Sequence, residues 1–560
     1  MNDIPFDGNA ILHLISSSTT TPYIATGAII LGSIYYFFGS STSSSRKHDE
    51  QLTTPTLNKV NLTKSESESS LTSSSSSSSS TTTNNNNITT TTTKSKSKST
   101  KREITWKEFK QHDGKTTTPS KNEPWIVIHN QVYDISKFAP NHPGGDIIYQ
   151  YAGRDATDEF DAFHMPRVKR SRLPAYHIGS IVDAPEPLPV TRDYRALRNK
   201  LWKEGWFEGD NMYYIYKDII AFCILMLGVG CILLSNHYEG IYNHDDDGSS
   251  SSSSSIITKA TIARVILGGS LIGLALQQVA FVAHDAGHRG ITHPQPNGGI
   301  NWLGWIHGSI CFGVSIEMWV DEHSGHHAMT MRPHEDPQFK YLPVFLISSK
   351  ELDRFHELSK LEQIIAKILV PFQHYTLIPI SVIIGRFNLH AISLIYALKH
   401  QKYYDVAGLF LYLTWFGTIV SFLPLYERFP FVLISYIVAG ILHVQLTISH
   451  LATESFTPEE DEKEQFFAFQ CKTTRNIDST KWEDWFHGGL QFQIEHHLFP
   501  QMPRHNLRKI KPYVMDLCEK HGVPYHTTGF CDAVGTCLKD FKRLSSFLGD
   551  LVHPHEIMPE

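Results

Sequence analysis

Apolar segments in the second half of the chain constrain the fold most, because four of them are long enough to cross a bilayer. A spanning helix needs about 20 predominantly apolar residues, and its backbone polar groups must be satisfied inside the segment. We therefore predict four transmembrane helices, at residues 212–234, 260–283, 405–424 and 429–450. Two weaker segments, 300–316 and 364–383, contain His, Lys or Pro and are expected at the interface or as re-entrant segments.

The composition excludes some functions and marks other segments. With 50 Lys+Arg against 56 Asp+Glu, the net charge is −6, which argues against a nucleic-acid partner. Residues 22–39 are uncharged and apolar, and we interpret them as a membrane anchor; an uncleaved signal or an interfacial helix would also fit. The following Ser/Thr/Asn-rich tract cannot bury enough apolar area to fold, so we predict a disordered tether.

These changes in character divide the chain into six parts. We predict an anchor at 1–40, a tether at 41–100, a compact α+β domain at 101–184, a linker at 185–211, a membrane domain at 212–545 with a low-complexity insert near 244–256, and a tail at 546–560. If the α+β domain is cytosolic, each of the two pairs of spans crosses the membrane and comes back. Residues 284–404 and all residues after 450 would then lie on the cytosolic side.

The compact domain carries two histidines in a setting that suits haem. His142 opens a His-Pro-Gly-Gly turn, and His164 follows 22 residues later among aromatic side chains. Two imidazoles can hold a haem from both faces, which leaves no open site for oxygen and suits electron transfer. Residues 125–134 are predicted to form two short β segments around a His-Asn turn. These segments, the His-Pro-Gly-Gly turn and the second histidine occur in the order found in cytochrome b5 domains, which residues 103–184 resemble. The resemblance implies that His142 and His164 are the axial ligands of haem b.

Histidine is unusually frequent, at 31 residues, and forms three clusters, the first of them directly after the predicted span 260–283. The clusters are His284 with His288; His323 with His326 and His327; and His496 with His497, preceded by Gln493. Spacings of three and four residues place side chains on one face of a helix, and the topology puts all three clusters at the same membrane face. Seven imidazoles exceed the needs of one tetrahedral zinc. Beside a haem electron donor, two iron ions are the expected metals.

The clusters resemble the histidine boxes of the membrane fatty-acyl desaturase and hydroxylase superfamily. The stretch from Asp484 to Arg504, with Gln493 where most relatives have His, resembles the front-end desaturase branch with a fused cytochrome b5. The resemblance implies a multi-domain protein in which an all-α membrane desaturase fold, with about four transmembrane helices, interfacial helices and a cytosolic cap, joins an α+β haem domain.

The same resemblance implies roles for individual residues. The seven box histidines would ligate a di-iron centre, and His450 is the candidate for a further ligand, with His443 as the second choice. Gln493 would bind iron directly or hydrogen-bond a metal-bound water. The acidic neighbours Asp285, Glu322 and Glu495 are expected to orient imidazole N–H groups or to remain solvated.

The predicted activity is that of an oxidoreductase acting on paired donors, with reduction of O2 to water. Its substrate would be a sphingolipid long-chain base desaturated at Δ8, or a fatty acyl chain at Δ5 or Δ6. A di-iron lipid hydroxylase or a non-catalytic metal-binding protein would also carry these histidines. Electrons would come from NADH-cytochrome b5 reductase through the haem domain, which the tether lets visit the membrane. The expected location is the endoplasmic reticulum membrane, with haem domain and boxes on the cytosolic face.

Overall fold

The computed structural model describes residues 102–114, 123–142, 144–244, 258–292, 301–333 and 335–552. These residues belong to one compact unit. The predicted anchor at 1–40, the tether at 41–100 and most of the insert and the tail lie outside the described residues, so those predictions stay as they are.

The first part of the chain forms a small sheet with short helices. Its elements are β1 (Glu103–Ile104), α1 (Trp106–Phe109), β2 (Trp125–Ile128), β3 (Gln131–Asp134), α2 (Thr157–Phe163), α3 (Pro166–Ser171) and β4 (His177–Ile181), with 3-10 turns at Ala139–Asn141 and Gly145–Tyr151. The strand order is β1-β4-β3-β2, with β1 and β4 parallel and the other pairs antiparallel.

The predicted hairpin at the start of this domain is present. His129 and Asn130 join β2 to β3 with φ values of 50° and 59°, as a two-residue hairpin turn with positive φ at both positions requires. Every residue of β2 is buried, with Ile126 and Ile128 in one core cluster and Trp125 and Val127 in another. Apolar cores on both faces explain why this strand is a continuous apolar run rather than an alternating one.

The remainder of the described chain is almost entirely helical. Its elements are α4 (Pro189–Lys203), α5 (Asn211–His244), α6 (Gly269–Gly287, preceded by a π-helical turn at Ile262–Gly268), α7 (Trp302–Gly304, continued by a π-helical turn at Trp305–Phe312), α8 (Ile316–Ala328), α9 (Lys360–Leu369), α10 (Gln373–Pro379), α11 (Gly385–Lys399), α12 (Tyr403–Ser421), α13 (Leu425–Thr447), α14 (Pro458–Asp461), α15 (Phe466–Lys472), β5 (Asn476–Ile477), α16 (Glu483–His487), α17 (Gln493–Leu498), α18 (Arg504–His521), β6 (Thr527–Thr528) and α19 (Phe530–Val552). A helical membrane domain joined to a small α+β domain is thereby confirmed as the fold class.

The described residues include five helices that are long and apolar enough to cross a membrane. Four of them, Asn211–Glu239, Thr258–Gly287, Tyr403–Ser421 and Leu425–Thr447, match the predicted spans. The fifth is the helical stretch Lys360–Lys399, whose segment 364–383 the sequence predicts at the interface or as a re-entrant segment because it contains Lys and Pro. Its length satisfies the requirement despite Pro379, because a π-helical turn follows that proline and α11 continues the stretch. The predicted count of about four spans is therefore one lower than the number of candidates.

The other of the two less apolar segments, at residues 300–316, contains a sharp bend. Trp302–Phe312 and α8 meet at an angle of 108°, with Gly313 between them at φ 75°. A side chain with Cβ is disfavoured at that φ, and a Cβ there would also meet the ring of Tyr412. A bend of this kind fits either a broken span or a re-entrant loop, and the second of these is one of the two possibilities that the sequence predicts.

Helices α15, α17 and α18 and the chain around them form a cap packed against α4. Buried Tyr194, Leu201 and Phe207 share one core cluster with residues of these cap helices, including Phe467, Phe499 and Ile510. The predicted linker at 185–211 thus contains a packed helix.

Candidate functional site

The haem-domain histidines face each other at a spacing suited to a shared metal. His142 follows the 3-10 turn at Ala139–Asn141 and His164 follows α2; their ring centroids are 6.1 Å apart. The Nδ1 of His142 is 3.2 Å from the carbonyl of Gly145, and the Nδ1 of His164 is 3.2 Å from the carbonyl of Phe160. A carbonyl can only accept, so each Nδ1 carries the proton and each Nε2 keeps a free lone pair for a ligand.

The backbone and the local electrostatics also favour a ligand here. A Cβ at Gly144 would meet the imidazole of His142 at 2.9 Å, so that position requires glycine for the ring to lie where it does. Burial, and then the neighbouring His142, lower the pKa of His164 to about 4. Burial also lowers the pKa of His142. Both imidazoles are therefore neutral near pH 7, which is the state that binds iron. The residues fit a bis-histidine haem.

The three histidine clusters converge although they are far apart in sequence. Side-chain nitrogens of His284, His288, His323 and His496 all lie within 4.8 Å of one another, and those of His326, His450 and His497 form a second group on the same criterion. His327 lies between the groups, with ring centroids 4.6 Å from His496 and 4.1 Å from His497. Two adjacent groups of imidazole nitrogens can hold two metal ions.

The sequence prediction of His450 as an additional member agrees with this arrangement, whereas His443 lies elsewhere. The His450 ring is 4.6 Å from that of His326 and 4.8 Å from that of His497, measured between centroids. His443 lies on α13, seven residues before His450, and lines a neighbouring cavity instead. Gln493 begins α17, and its buried Oε1 has no hydrogen-bond partner among the described residues.

Unpartnered nitrogens show that the clusters fit a metal. Within the two groups, and counting partners only in the described part of the chain, the buried Nε2 atoms without a hydrogen bond belong to His284, His288, His326, His450, His496 and His497. A buried polar atom without a partner costs about 1–3 kcal/mol, and six such atoms in one place are explained by shared ligands. Burial, with neighbouring histidines, holds the pKa of His450, His496 and His497 well below the ordinary range, so these rings are neutral.

Hydrogen bonds at the opposite ring nitrogen fix the direction of four imidazoles. Asp336 lies 2.9 Å from Nδ1 of His326, and Gln338 lies 3.0 Å from Nδ1 of His323. Gln470 and the carbonyl of Thr473 lie 3.0 Å and 3.3 Å from Nδ1 of His497 and His450. These partners aim Nε2 of each ring into the cluster, as is usual around protein metal ions.

Sequence reasoning missed these orienting residues and named others. Asp336 occurs directly before a proline, ten residues after His326, which is the signal that could have identified it. Asp285 does lie 3.3 Å from Nδ1 of His284, but it pairs more closely with Nε and Nη2 of Arg504, at 2.6 and 2.7 Å. Glu495 bonds Asn476 and Tyr525 rather than an imidazole. Glu322 lines the cavity.

An apolar cavity of about 250 Å³ adjoins the first histidine group and shares His284 with it. Its walls come from α6, α8, α11 and α13 and the chain between them, and include Phe281, Trp319, Leu377, Ile384 and Leu442. A mostly apolar cavity beside the metal-binding side chains can take a hydrocarbon chain. The arrangement can therefore bring an alkyl chain next to two metal ions.

Comparison with known proteins agrees with this geometry. Residues 260–529 match the fatty acid desaturase family model, and residues 105–182 match the model of the cytochrome b5-like haem/steroid binding domain. A Delta(8)-fatty-acid desaturase of Helianthus annuus is 33% identical over 81% of this chain and 94% of that protein. An acyl-lipid (9-3)-desaturase of Borago officinalis is 31% identical over 81% and 96%.

A fungal protein gives a shorter match with a higher identity. A Delta 8-(E)-sphingolipid desaturase of Kluyveromyces lactis is 38% identical over 46% of this chain and 47% of its own. The matched family models imply haem in the small domain and iron in the membrane domain. With its converging histidine clusters and its fused haem domain, this chain belongs to the fatty acid desaturase family, as a membrane oxidoreductase that acts on lipids with O2.

Proposed function

We propose that the protein is a front-end desaturase that inserts a Δ8 double bond into the long-chain base of a sphingolipid. The single observation that carries the catalytic part is the convergence of eight imidazoles beside an apolar cavity, seven of them in two adjacent groups and that of His327 between the groups. The identity of 38% to a sphingolipid desaturase favours the long-chain base.

In this proposal two iron ions are held by His284, His288, His323, His326, His327, His450, His496 and His497, with Gln493 at the edge of the centre, and haem b is held by His142 and His164. Bound iron supplies the activation of O2 that removal of hydrogen from an unactivated C–H bond requires. The chain's own residues position the substrate: the cavity walls hold the hydrocarbon, and the methylenes nearest His284 are the ones desaturated. Asp336, Gln338 and Gln470 keep the imidazoles oriented.

The location and the electron source complete the proposal. The described helices that are long and apolar enough to span support a membrane location. We infer that this membrane is the endoplasmic reticulum, with the haem domain and the boxes on the cytosolic face. NADH-cytochrome b5 reductase is the inferred donor to the haem domain.

A fatty acyl chain is the second candidate substrate, because 96% of the acyl-lipid (9-3)-desaturase of Borago officinalis matches this chain. The two candidates differ in where the new double bond appears. In a long-chain base the product is a Δ8-unsaturated base; in a front-end acyl substrate it is a double bond between an existing one and the carboxyl group.

Mass spectrometry of hydrolysed lipids from yeast expressing the full chain tests the proposal. Cells are fed phytosphingosine or polyunsaturated fatty acids separately, and a desaturated long-chain base is expected. His284→Ala is expected to abolish the product, whereas His356→Ala, at an exposed position far along the chain from the boxes, is expected to retain it. New acyl unsaturation alone would replace the sphingolipid proposal with the acyl one, and a hydroxylated product would contradict desaturation.

A further inference from the structure

The haem domain touches the membrane domain at one of the box histidines. We propose that Phe163 is a positioning residue for electron transfer within this chain, and that its ring bridges the haem-ligating loop and His327. A permanent interface between the haem domain and the membrane domain, the dock, holds the ring there. This inference rests on the proposed haem and iron ligands, and extends them to the path between them.

The contact itself involves neighbours of both proposed ligand sets. Phe163 is the last residue of α2 and directly precedes His164. Its ring centroid lies 6.3 Å from that of His327, at an interplanar angle of 63°. This edge-to-face arrangement is a favourable geometry for two aromatic rings. One side chain therefore separates the haem-ligand loop from the second histidine box.

Hydrogen bonds fix the haem domain beside that contact. The buried hydroxyl of Tyr151 donates to the carbonyl of Ala328 at 3.1 Å, and Ala328 directly follows His327. Gln150 donates to Glu335 and accepts from Arg332, each at 3.1 Å. Two consecutive haem-domain residues thus bind the segment immediately after the second box.

One buried carboxylate forms ion pairs with arginines of both domains at the same interface. Asp461, which is 7% exposed, pairs with Arg154 of the haem domain at 3.1 Å and with Arg332 of the membrane domain at 3.0 Å. Separating the domains would break the pair between Arg154 and Asp461, so the triad links the two domains in one orientation. The ion triad favours the docked state over a freely moving haem domain.

Helix α4 holds the other side of the haem domain. Its Arg195 donates to Asp158 on α2 at 2.7 Å, while Tyr194, the preceding residue, donates to the carbonyl of Leu498 at 2.8 Å. Leu498 directly follows the third box pair. The same helix therefore contacts both α2, which ends in Phe163, and the end of the third histidine box, which lies next to His327.

The stoichiometry explains why a fixed contact is useful. Each desaturation removes two hydrogen atoms from the lipid and reduces one O2 to two waters, which requires two further electrons and two protons. The electrons come from a pyridine-nucleotide-dependent reductase and pass through the haem one at a time. With a permanent dock, each electron crosses the same short contact, and no domain movement is needed between the haem and the box.

The role of Phe163 is tested in the purified full-length protein loaded with haem and iron. The haem is reduced without oxygen, then mixed with O2 and lipid substrate, and its reoxidation is followed by its visible absorption. We expect Phe163→Leu to slow reoxidation on the order of tenfold, as loss of close positioning does, while haem content, haem spectrum and iron content match the parent. Phe163→Tyr should restore the rate. Trp106→Leu, a comparable change at the half-buried start of α1, should not alter it.

The dock is tested separately by a cross-link that needs neither cofactor. Lys110 of the haem domain and Glu462 of the membrane domain are 3.3 Å apart and partly exposed, so a water-soluble carbodiimide should join them as an amide detectable by peptide mass spectrometry. Lys350 and Glu460, an ion pair within the membrane domain, serve as the internal control. We expect Asp461→Asn and Tyr151→Phe to reduce the first cross-link severalfold and to leave the second unchanged.

The outcomes distinguish this inference from the proposed function. A parent protein that forms the Lys350–Glu460 cross-link but not the Lys110–Glu462 cross-link would overturn the dock. A Phe163→Leu variant with normal haem and the parental reoxidation rate would overturn the role of the ring. A protein that binds neither haem nor iron, yet forms both cross-links, would refute the proposed function and with it the electron path, while the dock itself would stand.

Discussion

At the scale of single residues, the candidate metal centre depends on which nitrogen of each imidazole carries the proton. His326 presents Nε2 to the cluster because Asp336 accepts at its Nδ1, and His497 does so because Gln470 accepts at its Nδ1. Without such partners a ring could rotate or present the wrong tautomer. The orienting residues are therefore as much a part of the centre as the histidines.

Asp336 gives the most direct residue-scale prediction. Asp336→Asn preserves the shape of the side chain but removes the charge that favours the Nδ1–H tautomer of His326, and we expect iron affinity to fall by roughly 10-fold to 100-fold. Iron retained after equilibration with graded chelator is the measurement. Asp353→Asn, at an exposed carboxylate, is the matched control and should retain parental iron. Equal iron retention in both variants would argue against the assigned role of Asp336.

At the scale of elements, the spans that carry histidines pack closely where small residues meet. Gly273 on α6 lies against the backbone carbonyl of Ser435 on α13, and Gly440 on α13 lies against the carbonyl of Val382. Small residues allow helices in membranes to approach closely. The approach of α6 to α13 brings the first histidine box and His450 to the same end of the bundle.

A Cβ at Gly273 should therefore weaken this packing. In Gly273→Ala the methyl group would collide with the Ser435 carbonyl, which belongs to the backbone and cannot rotate away. We expect a loss of about 1–3 kcal/mol of stability, typical of overpacking, seen as a lower thermal unfolding temperature in detergent. Gly230→Ala is the matched control because nothing lies within 4 Å of its Cβ position. A similar unfolding temperature in both variants would contradict the packing argument.

At the scale of the whole molecule, two modules with separate cofactor residues share an extensive interface. The haem-domain histidines lie beside a sheet with its own two core clusters, whereas the box histidines lie among the membrane helices and the cap. The two modules should therefore load their cofactors independently, although catalysis needs both.

Removal of the haem ligands tests this independence. In the double variant His142→Ala, His164→Ala we expect haem to be absent by visible absorption, histidine-bound iron to stay at the parental level by elemental analysis, and lipid desaturation to be lost. His177→Ala is the control, since His177 bonds Gln131 within the sheet and keeps both proposed haem ligands intact. Loss of the histidine-bound iron together with haem, in a folded protein, would show that the modules are coupled.

Features set by local spacing could be predicted from the amino-acid sequence alone. Apolar length identified four spans, helical spacing identified the three boxes, and the hairpin of residues 125–134 followed from its turn residues. The family was also recognisable, because its motifs are contiguous. The long helical stretch Lys360–Lys399 was not predicted, because Pro379 and scattered polar residues weaken a local hydropathy signal without preventing a long helix; the interfacial or re-entrant placement of residues 364–383 stays a prediction.

Contacts between residues distant in sequence could be seen only in the folded chain. The division of the histidines into two groups and the partners Asp336 and Gln470 depend on how helices pack, which no local pattern encodes. The same holds for Phe163 against His327 and for Asp461 between two arginines. Short-range periodicity sets which face a side chain occupies, whereas packing of the folded chain sets what that face meets.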